Sequence, residues 1–514
     1  MLYLVASCIA LLFGPLCYRF FSQGSGLQKA LDGFIFVSLG GLVLIHIMPE
    51  LLEHGGWLTL VFVALGLWGP TASERVFHQY SHVTHNITLA LGIGGLLLHT
   101  ITDGSAMVLA QQDNYSIMLA IGVILHRLPV GLAIWWLLKP QVGSKWASLV
   151  IAAMMLLTAV GYFGSEQVLD QLSLENTALL QAFVTGSILH VVLHQPHVEH
   201  DQQQTDKYQY HAGVGSLLGL GLLALMLHFD AGCSANGDVH DHSHHHGHDH
   251  AQGFEQLLDW LLLVAPYLVL AYLGAALRFK FDLKPDSHHL FAQWLQRLIG
   301  PEALIISLML LGPVYGVIHL LVALALSLLL SKQVIAVTDP HSQLPSNSWQ
   351  FGFSHIVDRS APWVIFSLVV AHVIGHPSMP FANPYIQLAI LFAVFLPLRF
   401  CNLGAAILAV ALALSGWSAA AVVFVLIAAP LINLAQFKLM SALQIAMSIA
   451  CIMVAVAAIN AIGLPQASQY SLPSWLNGIS LAIIALLFSA SLLRVGPRKF
   501  LARLMLSRPH AHHH

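Results

Sequence analysis

The sequence predicts an all-α, polytopic integral membrane protein with about sixteen transmembrane helices in two bundles. Hydrophobic residues make up 57% and charged residues only 8% of the 514 residues, which is more apolar surface than one soluble core can bury. Apolar windows of about 20 residues, the length that crosses a bilayer, recur along the chain. One polar, histidine-rich tract interrupts them and divides the chain into two blocks.

The first block, residues 1–229, is predicted to be an eight-helix membrane domain. Its opening stretch has neither a basic n-region nor a small-residue cleavage site, so we interpret it as the first transmembrane helix and not as a secretory signal. The apolar windows of this block lie near residues 1–18, 31–52, 56–69, 87–110, 115–138, 146–164, 177–196 and 213–229.

Basic residues mark alternate connections between these windows. They are Arg19, Lys29, Arg75, Lys139, Lys145 and Lys207. The intervening loops carry acidic or neutral residues instead, such as Glu53, Asp113 and Glu166. Because basic loops stay in the cytoplasm, this pattern predicts that the N-terminus and, after an even number of helices, the end of the block are extracytoplasmic. We expect the membrane to be a bacterial inner membrane.

The polar tract, residues 230–253, is predicted to be an extracytoplasmic linker that collects metal. Imidazoles on a flexible backbone suit Zn, Cu, Ni or Co, and three aspartates of the tract add carboxylate ligands. The alternative is a merely soluble linker, although ordinary linkers use Ser, Gly, Pro and Glu instead. The candidate ligands are His240, His242, His244, His245, His246, His248 and His250.

The second block, residues 254–514, is predicted to be a further helical membrane domain. Its windows lie near residues 256–277, 302–330, 361–378, 384–399, 403–415, 417–436, 439–463 and 476–493. Basic residues from Arg494 to Arg508 follow the last window and place the C-terminus in the cytoplasm. The string VALALS occurs at 322–327 and again at 410–415, as a two-repeat transporter would show.

Charge and cysteine content exclude other classes of protein. The net charge of −3, with basic residues dispersed, argues against a nucleic-acid partner. Five scattered cysteines without a CxxC pair give no disulfide framework. We expect neither an enzyme nor an organic cofactor. The compositional anomaly is the number of histidines, 31, some of which fall inside the apolar windows.

Four windows of the first block carry ionisable residues that a lipid-facing surface would not tolerate. They are His46 with Glu50, His99 with Asp103, His126 with Arg127, and His190 with His194. A spacing of four residues places both members of three of these pairs on one helix face. Imidazoles and carboxylates on several inward-facing helices are what a bundle uses to bind a divalent metal. The alternative is that each histidine is an interhelical hydrogen-bond donor.

These motifs resemble those of the Zrt/Irt-like (ZIP) divalent-metal transporters. H-x-x-P-E at 46–50 resembles that family's second-helix HxLPE. HTITDG at 99–104 resembles its H-N-x-x-D-G, and HRLP at 126–129 resembles the start of its H-E-x-P-H-E. The resemblance covers about residues 1–229. It implies eight helices, an extracytoplasmic N-terminus and a divalent metal as the transported substrate.

The first block departs from the family pattern at several candidate ligands. Thr100 occupies the position of the family's Asn, and Arg127 occupies that of its helix-five Glu. Val130 and Gly131 occupy the positions of the His and Glu that follow in the family's motif. In the family that Glu bridges two metals, whereas here a permanent cation replaces it. An arginine about 4 Å from a bound ion would cost about 4 kcal/mol per unit charge at an effective dielectric of 20.

The sequence therefore favours one metal, with Arg127 in place of the other. Arg127 is expected to pair with Asp103 or Glu50, and both pairings stay open. His190 and His194 are candidates to replace the lost ligands. A metal sensor or an inactive transporter is equally compatible with these substitutions.

The second block contains two polar breaks between apolar helices. The first break contains Pro397, Arg399, Cys401, Asn402 and Gly404. The second break contains Pro430 and Asn433. This is similar to a predicted permease family associated with copper, zinc and arsenic efflux, whose repeats carry a Pro-Leu-x-x-Cys turn, a Gly and a later Pro-x-x-Asn break. The resemblance covers about residues 256–493.

In that family each repeat carries the cysteine, but in this chain only the second repeat, which contains Cys401, has it. Its first-repeat counterpart, LGPVYGVIH at 311–319, has no thiol. Cys401 is therefore a lone soft metal ligand that His319, His372 or His376 could assist. The alternative is a helix-packing turn with an incidental buried cysteine.

Together these observations predict a transporter of a divalent transition metal. Zinc is the preferred candidate substrate, and Cu, Mn, Fe, Co and Ni are the other candidates. The metal is the substrate, the lipid bilayer is the other partner, and a homodimer is left open. Alternatively, the ZIP-like half senses metal and gates a metal-exporting permease half, or the histidines bind haem in a non-transporting membrane subunit. A metalloprotease is disfavoured because HRLPV lacks the Glu and the second His of HExxH.

Overall fold

The computed structural model confirms the all-α class for the residues it describes. About 89% of this part of the chain is helical and it contains no strand. The chain divides into unit 1, residues 1–255 with 496–498, and unit 2, residues 256–495 with 499–514. The described residues are 1–18, 26–76, 117–164, 209–234, 249–281, 289–335, 345, 347–374, 383–462 and 472–502, with scattered positions between 93 and 108 and between 178 and 189.

Unit 1 is built from long apolar helices. They are α1 (Leu2–Tyr18), α2 (Gly26–Leu42), α3 (Met48–Gly55), α4 (Leu58–Val76), α5 (Ile117–Phe163) and α6 (Gln209–Ser234). The described positions between 93 and 108, and those between 178 and 189, are helical too. The two predicted windows at 115–138 and 146–164 form the two halves of α5, which are separated at Gly143, where the backbone is not helical (φ +83°, ψ 168°).

Helices α2 and α3 are joined by a π-helical turn, Val43–Ile47. Its widened turn is visible in the hydrogen bond from Met48 N to Val43 O. Pro49 follows in the first turn of α3 and has no N–H to donate, and its ring would clash with the carbonyl four residues earlier. A π turn moves that carbonyl aside, and such turns are frequent at functional sites.

The helix at 93–108 packs closely against the second half of α5. A Cβ on Gly104 would collide with the carbonyl oxygen of Thr158, and one on Gly161 would collide with that of Ile101. Small residues at such positions let two apolar helices approach each other. Leu11 of α1 belongs to the buried apolar cluster alongside.

Unit 2 contains the remaining helices. They are α7 (Asp249–Lys280, within unit 2 from Gln256), α8 (Leu290–Leu298), α9 (Gly300–Ile306), α10 (Pro313–Leu329), α11 (Val357–Ile374), α12 (Pro384–Phe395), α13 (Asn402–Leu414), α14 (Ala419–Leu431), α15 (Leu434–Phe437), α16 (Ala442–Ile462) and α17 (Ser474–Val495). The helix α18 (Pro497–Ala502) follows. A π-helical turn, Ser307–Leu311, continues α9, and the short helix Ser348–Gln350 with a second π-helical turn, Phe351–Ile356, leads into α11.

The predicted window at 302–330 is wrong as one continuous helix. The chain leaves helical geometry at Gly312, where φ is +105°, a conformation that residues with a Cβ rarely adopt. Pro313 then begins α10 in the first-turn position where its missing N–H costs nothing. The apolar run is continuous in composition, but this Gly-Pro pair divides it.

The centre of unit 2 is a hairpin of two short helices, α13 and α14. Residues Leu403–Leu412 and Ala420–Leu431 are buried without interruption. Each helix has 13 residues, about 20 Å at 1.5 Å per residue, whereas the hydrocarbon core of a bilayer is about 30 Å thick. The two breaks predicted from Pro, Gly and Asn are confirmed, since α13 begins at Asn402 and α14 ends at Leu431.

Six helices in the described chain are long and apolar enough to cross a membrane. They cover Val142–Phe163, Gln256–Lys280, Leu290–Leu311, Ser348–Ile374, Ala442–Ile462 and Ser474–Val495. Their composition indicates a membrane protein.

Candidate functional site

The first candidate site is the His99 and Asp103 pair of unit 1. His99 Nε2 lies 3.5 Å from Asp103 Oδ1, so the prediction that the two side chains share a helix face is confirmed. Asp103 is buried, with 8% of the residue exposed, and apolar residues such as Leu96, Leu97 and Met107 lie in the same segment. A carboxylate in such surroundings is costly unless it is paired.

Arg127 supplies the second partner of this carboxylate. Its Nη2 donates to Asp103 Oδ2 at 2.9 Å and to the carbonyl oxygen of Thr100 at 3.3 Å. Its Nη1 donates to Thr158 Oγ1, whose own hydroxyl donates to Met154 O. Of the two pairings that the sequence leaves open for Arg127, the structure forms the one with Asp103.

The three ionisable side chains of this site differ in accessibility. The side chain of His99 is 31% exposed, that of Asp103 11% and that of Arg127 1%. The two carboxylate oxygens also face different partners, Oδ1 towards His99 and Oδ2 towards Arg127. A solute that reaches the site therefore meets the imidazole first and the guanidinium last.

Sequence reasoning missed Thr158 as a member of this site. It lies 31 residues from Arg127, on the second half of α5, and no motif marks it. The available signal was the small residue Gly161 in the same apolar stretch, because it permits the close approach of this part of α5 to Ile101, on the helix that carries Asp103.

The other predicted ligands of the first block lie outside what the structure describes. The backbones of His46, Glu50 and His126 are helical, with His46 in the π turn, but their side chains are outside the described residues. The same holds for the side chain of His250. His190, His194, His240, His242, His244, His245, His246 and His248 fall outside the described residues altogether. Within the described residues, no three His, Cys, Asp or Glu side chains form a group that could hold a metal.

The second candidate site lies where the two breaks of unit 2 meet. Leu434 N, just after the second break, donates to Leu396 O of the first at 3.0 Å. Arg297 Nε, at the end of α8, donates to Pro430 O at 3.1 Å. The beginning of α13, the end of α14 and the end of α8 are therefore neighbours.

Cys401 and Asn402 are both engaged at the start of α13. Cys401 Sγ caps this helix by accepting from Gly404 N at 3.2 Å. Asn402 Nδ2 donates to Gln296 O at 2.9 Å, and its Oδ1 accepts from Leu403 N at 2.8 Å. Their roles as metal ligands stay predictions.

Arg297 lies beside this helix start, because it follows Gln296, whose carbonyl oxygen accepts from Asn402 Nδ2. Arg297 is within electrostatic range of Arg359, Arg399 and Cys401. Trp363 lies against Gly404, and Ser367 Oγ donates to Gly404 O at 2.9 Å, so α11 packs against the first turn of α13.

Sequence reasoning identified Arg399 here but missed Arg297 and Arg359. The signal was an arginine close to each of two apolar windows, but Arg297 and Arg359 stand 102 and 40 residues before Arg399, too far away to form a motif with it. Only packing brings them together.

The histidines predicted to assist Cys401 have other surroundings. His319 is buried in α10, with its Nδ1 3.2 Å from Ser307 Oγ and its Nε2 3.4 Å from Leu298 O. The ring of His372 packs edge-on against Trp260. His376 lies outside the described residues.

No protein-family model, curated protein or solved structure matches this chain. The resemblances to the two transporter families therefore rest on the motifs quoted above.

Proposed function

We propose that this chain is a polytopic transporter of a divalent transition metal, with zinc as the first candidate, and that unit 1 carries the metal path. The distance of 3.5 Å between His99 Nε2 and Asp103 Oδ1 supports this most directly. Two ligands of a tetrahedral zinc, each about 2 Å from the metal, stand about 3.3 Å apart. The pair thus needs little rearrangement to share one ion.

The two oxygens of Asp103 allow this without loss of the ion pair. A metal bound by His99 Nε2 and Asp103 Oδ1 leaves Oδ2 to Arg127. Arg127 then occupies the place of a second cation, and its repulsion, about 4 kcal/mol per unit charge at 4 Å, keeps the metal weakly held. Weak binding suits a transport site, because the ion must also leave.

Further ligands for this ion come, in the proposal, from neighbouring helices. The candidates are His46, Glu50, His126, His190 and His194. The π turn that carries His46 supports this, since such turns are common where a helix serves a site.

The proposed setting is a bacterial inner membrane that the chain crosses about sixteen times. The N-terminus and the histidine-rich tract are extracytoplasmic, and the C-terminus is cytoplasmic. The tract raises the local metal concentration, and rocking of helices exposes the buried ligands to alternate sides.

The test is zinc flux into proteoliposomes that contain the full chain. We expect His99→Ala and Asp103→Asn each to lower flux by about tenfold or more, because each removes a ligand. Glu53→Gln, which removes an exposed carboxylate of the same unit, is the matched control and should not change flux.

Two results would contradict this assignment. Flux that His99→Ala leaves unchanged would exclude the pair from the path. Flux lost only with Cys401→Ser would place the path in unit 2. A Soret band in the purified protein would support the haem-binding alternative instead.

The ion pair between Arg127 and Asp103 also favours a second candidate, in which unit 1 senses metal and gates export through unit 2. A metal that competes with Arg127 for the carboxylate would change the packing of α5. In that case Cys401→Ser abolishes export, whereas His99→Ala leaves export active but no longer responsive to metal.

A further inference from the structure

An open apolar groove lies in unit 2 between α12 and α16. We infer that this groove binds the acyl chain of a membrane phospholipid. The inference rests on the membrane setting that the apolar helices indicate, and it does not depend on the metal path proposed for unit 1.

Three helices form the groove. α14 packs against both α12 and α16 and supplies its floor. One wall is a single face of α12, whose residues follow at intervals of three and four and are Tyr385, Leu388, Ala389 and Phe392. The other wall is a single face of α16, with Ile449, Ile452 and Met453. The space between them has a volume of about 250 Å³.

The groove is buried at its floor and open at its rim. Phe424 and Ile432, which form the floor, are 5% and 1% exposed. Tyr385 and Met453, on the two walls, are 78% and 42% exposed. The floor can therefore be reached from outside the helices.

The chemistry of the lining selects a hydrocarbon ligand. Apart from the hydroxyl of Tyr385, the described lining side chains have no hydroxyl, amide or charged group. An apolar cavity of about 150 Å³ already stays empty of water and binds a small hydrocarbon. An extended peptide would bring N–H and C=O groups that find no partner in such surroundings. The groove therefore suits an unbranched apolar chain.

The rim of the groove continues into the lipid-facing surface. α16 is one of the helices long and apolar enough to cross a membrane, and Ile452 stands at the middle of its 21 residues. Exposed apolar side chains, Ile386 on α12 and Val454 on α16, lie next to the lining residues. The groove thus opens to the hydrocarbon core of the bilayer, where acyl chains are the abundant hydrocarbon.

The direction of the groove matches that of an acyl chain. Tyr385 lies in the first turn of α12, and tyrosine is enriched where a membrane meets water. From Tyr385 to Phe392 the wall extends for about 10 Å at 1.5 Å per residue. The opposite wall includes Ile452, at the middle of a membrane-crossing helix. A chain in the groove would therefore point from the interface towards the bilayer centre.

A helix from a second copy of the chain fits the groove less well. Membrane helices associate through small residues that let their backbones approach. Of the described lining residues only Ala389 is small, and the bulky side chains of Phe392 and Met453 stand on the walls. A flexible acyl chain follows an irregular groove and gains dispersion contacts without a close approach of backbones.

The test is photo-crosslinking of the full-length protein in bilayers of phosphatidylcholine that contain a trace of phosphatidylcholine with a diazirine on one acyl chain. Mass spectrometry locates the adducts. We expect several-fold more adducts on Phe392 and Ile449 than on Leu486, which is 71% exposed on α17 and lies outside the groove.

Variants that fill the groove should reduce this labelling. Met453→Trp places a large ring on one wall and should lower the adducts on Phe392 by about tenfold or more, because the chain loses its contacts there. Ala389→Trp fills the groove from the opposite wall and should lower the adducts on Ile449. Val454→Trp, the same replacement at an exposed position outside the lining, is the matched control and should change neither. Size-exclusion profiles show whether each variant is folded.

Two outcomes would overturn the inference. Adducts that are as frequent on Leu486 as on Phe392 and Ile449, or that neither filling variant reduces, would show that no chain is held in the groove. A disulfide between two copies that forms with Ile449→Cys, but with neither the wild type nor Val454→Cys, would show that a second copy covers the groove instead.

Discussion

Arg127 Nη2 and Asp103 Oδ2 lie 2.9 Å apart in the interior of unit 1, and the guanidinium is 99% shielded from solvent. A buried ion pair of this kind is expensive to form and costly to break on one side only. Its presence beside His99 means that the Asp103 carboxylate is shared between an imidazole and a guanidinium.

Removing one member of this pair should destabilise the protein more than removing both. Asp103→Asn and Arg127→Met each leave a buried partner uncompensated, which costs about 3–5 kcal/mol. The double variant should be nearly neutral. The free energy of unfolding in detergent micelles, from a denaturant titration followed by circular dichroism, measures this cycle. Additive losses in the double variant would show that the two groups do not interact.

Thr158→Val should lower the free energy of unfolding by about 2 kcal/mol, because Arg127 Nη1 loses its acceptor while the side-chain shape is kept. Thr158→Ser retains the hydroxyl and serves as the control. An equal loss in both variants would point to packing of the methyl group as the cause. The same denaturant titration applies.

Gly161→Ala should destabilise unit 1 by about 1–3 kcal/mol, because the added methyl meets the carbonyl of Ile101 and overpacks the contact. Gly40→Ala is the matched control, since nothing lies within 4 Å of a Cβ at that helical position. It should be neutral or slightly stabilising. Thermal unfolding of both variants gives the comparison, and a loss at Gly40 as large as at Gly161 would contradict the argument.

Gln387→Leu should loosen the tip of the α13–α14 hairpin. Gln387 Oε1 accepts from Ser418 N at 3.2 Å and from Ser418 Oγ at 2.7 Å. In the variant, both of these donors would lose their acceptor. The expected loss is about 2 kcal/mol. Gln350→Leu, at an exposed position of the same unit, is the control. Faster amide hydrogen exchange near Ser418 should accompany the loss, and unchanged exchange there would argue against an anchoring role.

Replacing the histidines of the tract by serine should raise the zinc concentration needed for half-maximal flux and leave the maximal flux unchanged. The proposed tract collects ions and does not form the path, so its loss lowers the local concentration only. Zinc titrations of flux into proteoliposomes separate the two parameters. A fall in maximal flux would mean that the tract belongs to the path itself.

Local features of the fold could be predicted from the sequence. The common face of His99 and Asp103 follows from their spacing of four residues, and the start of α13 follows from the Pro, Cys and Gly around it. The split at Gly312 was missed because the flanking residues are all apolar, so hydropathy does not register the change in backbone conformation.

The partners of the charged groups could not be predicted in the same way. The sequence left Arg127 with two possible carboxylates and gave no sign of Thr158, since those contacts depend on how closely the helices approach. The hydrogen bond from Arg297 Nε to Pro430 O, across 133 residues of the chain, has the same origin.

By itself, the sequence determined that the chain is helical and apolar and where the helices of the α13–α14 hairpin break, because hydropathy, proline and glycine act on neighbouring residues. Only the tertiary structure decided that Asp103 is shared between His99 and Arg127, and that Arg297 reaches the carbonyl oxygen of Pro430 at the second break. Pairing of buried charges depends on contacts between helices distant in sequence, and those are set by packing.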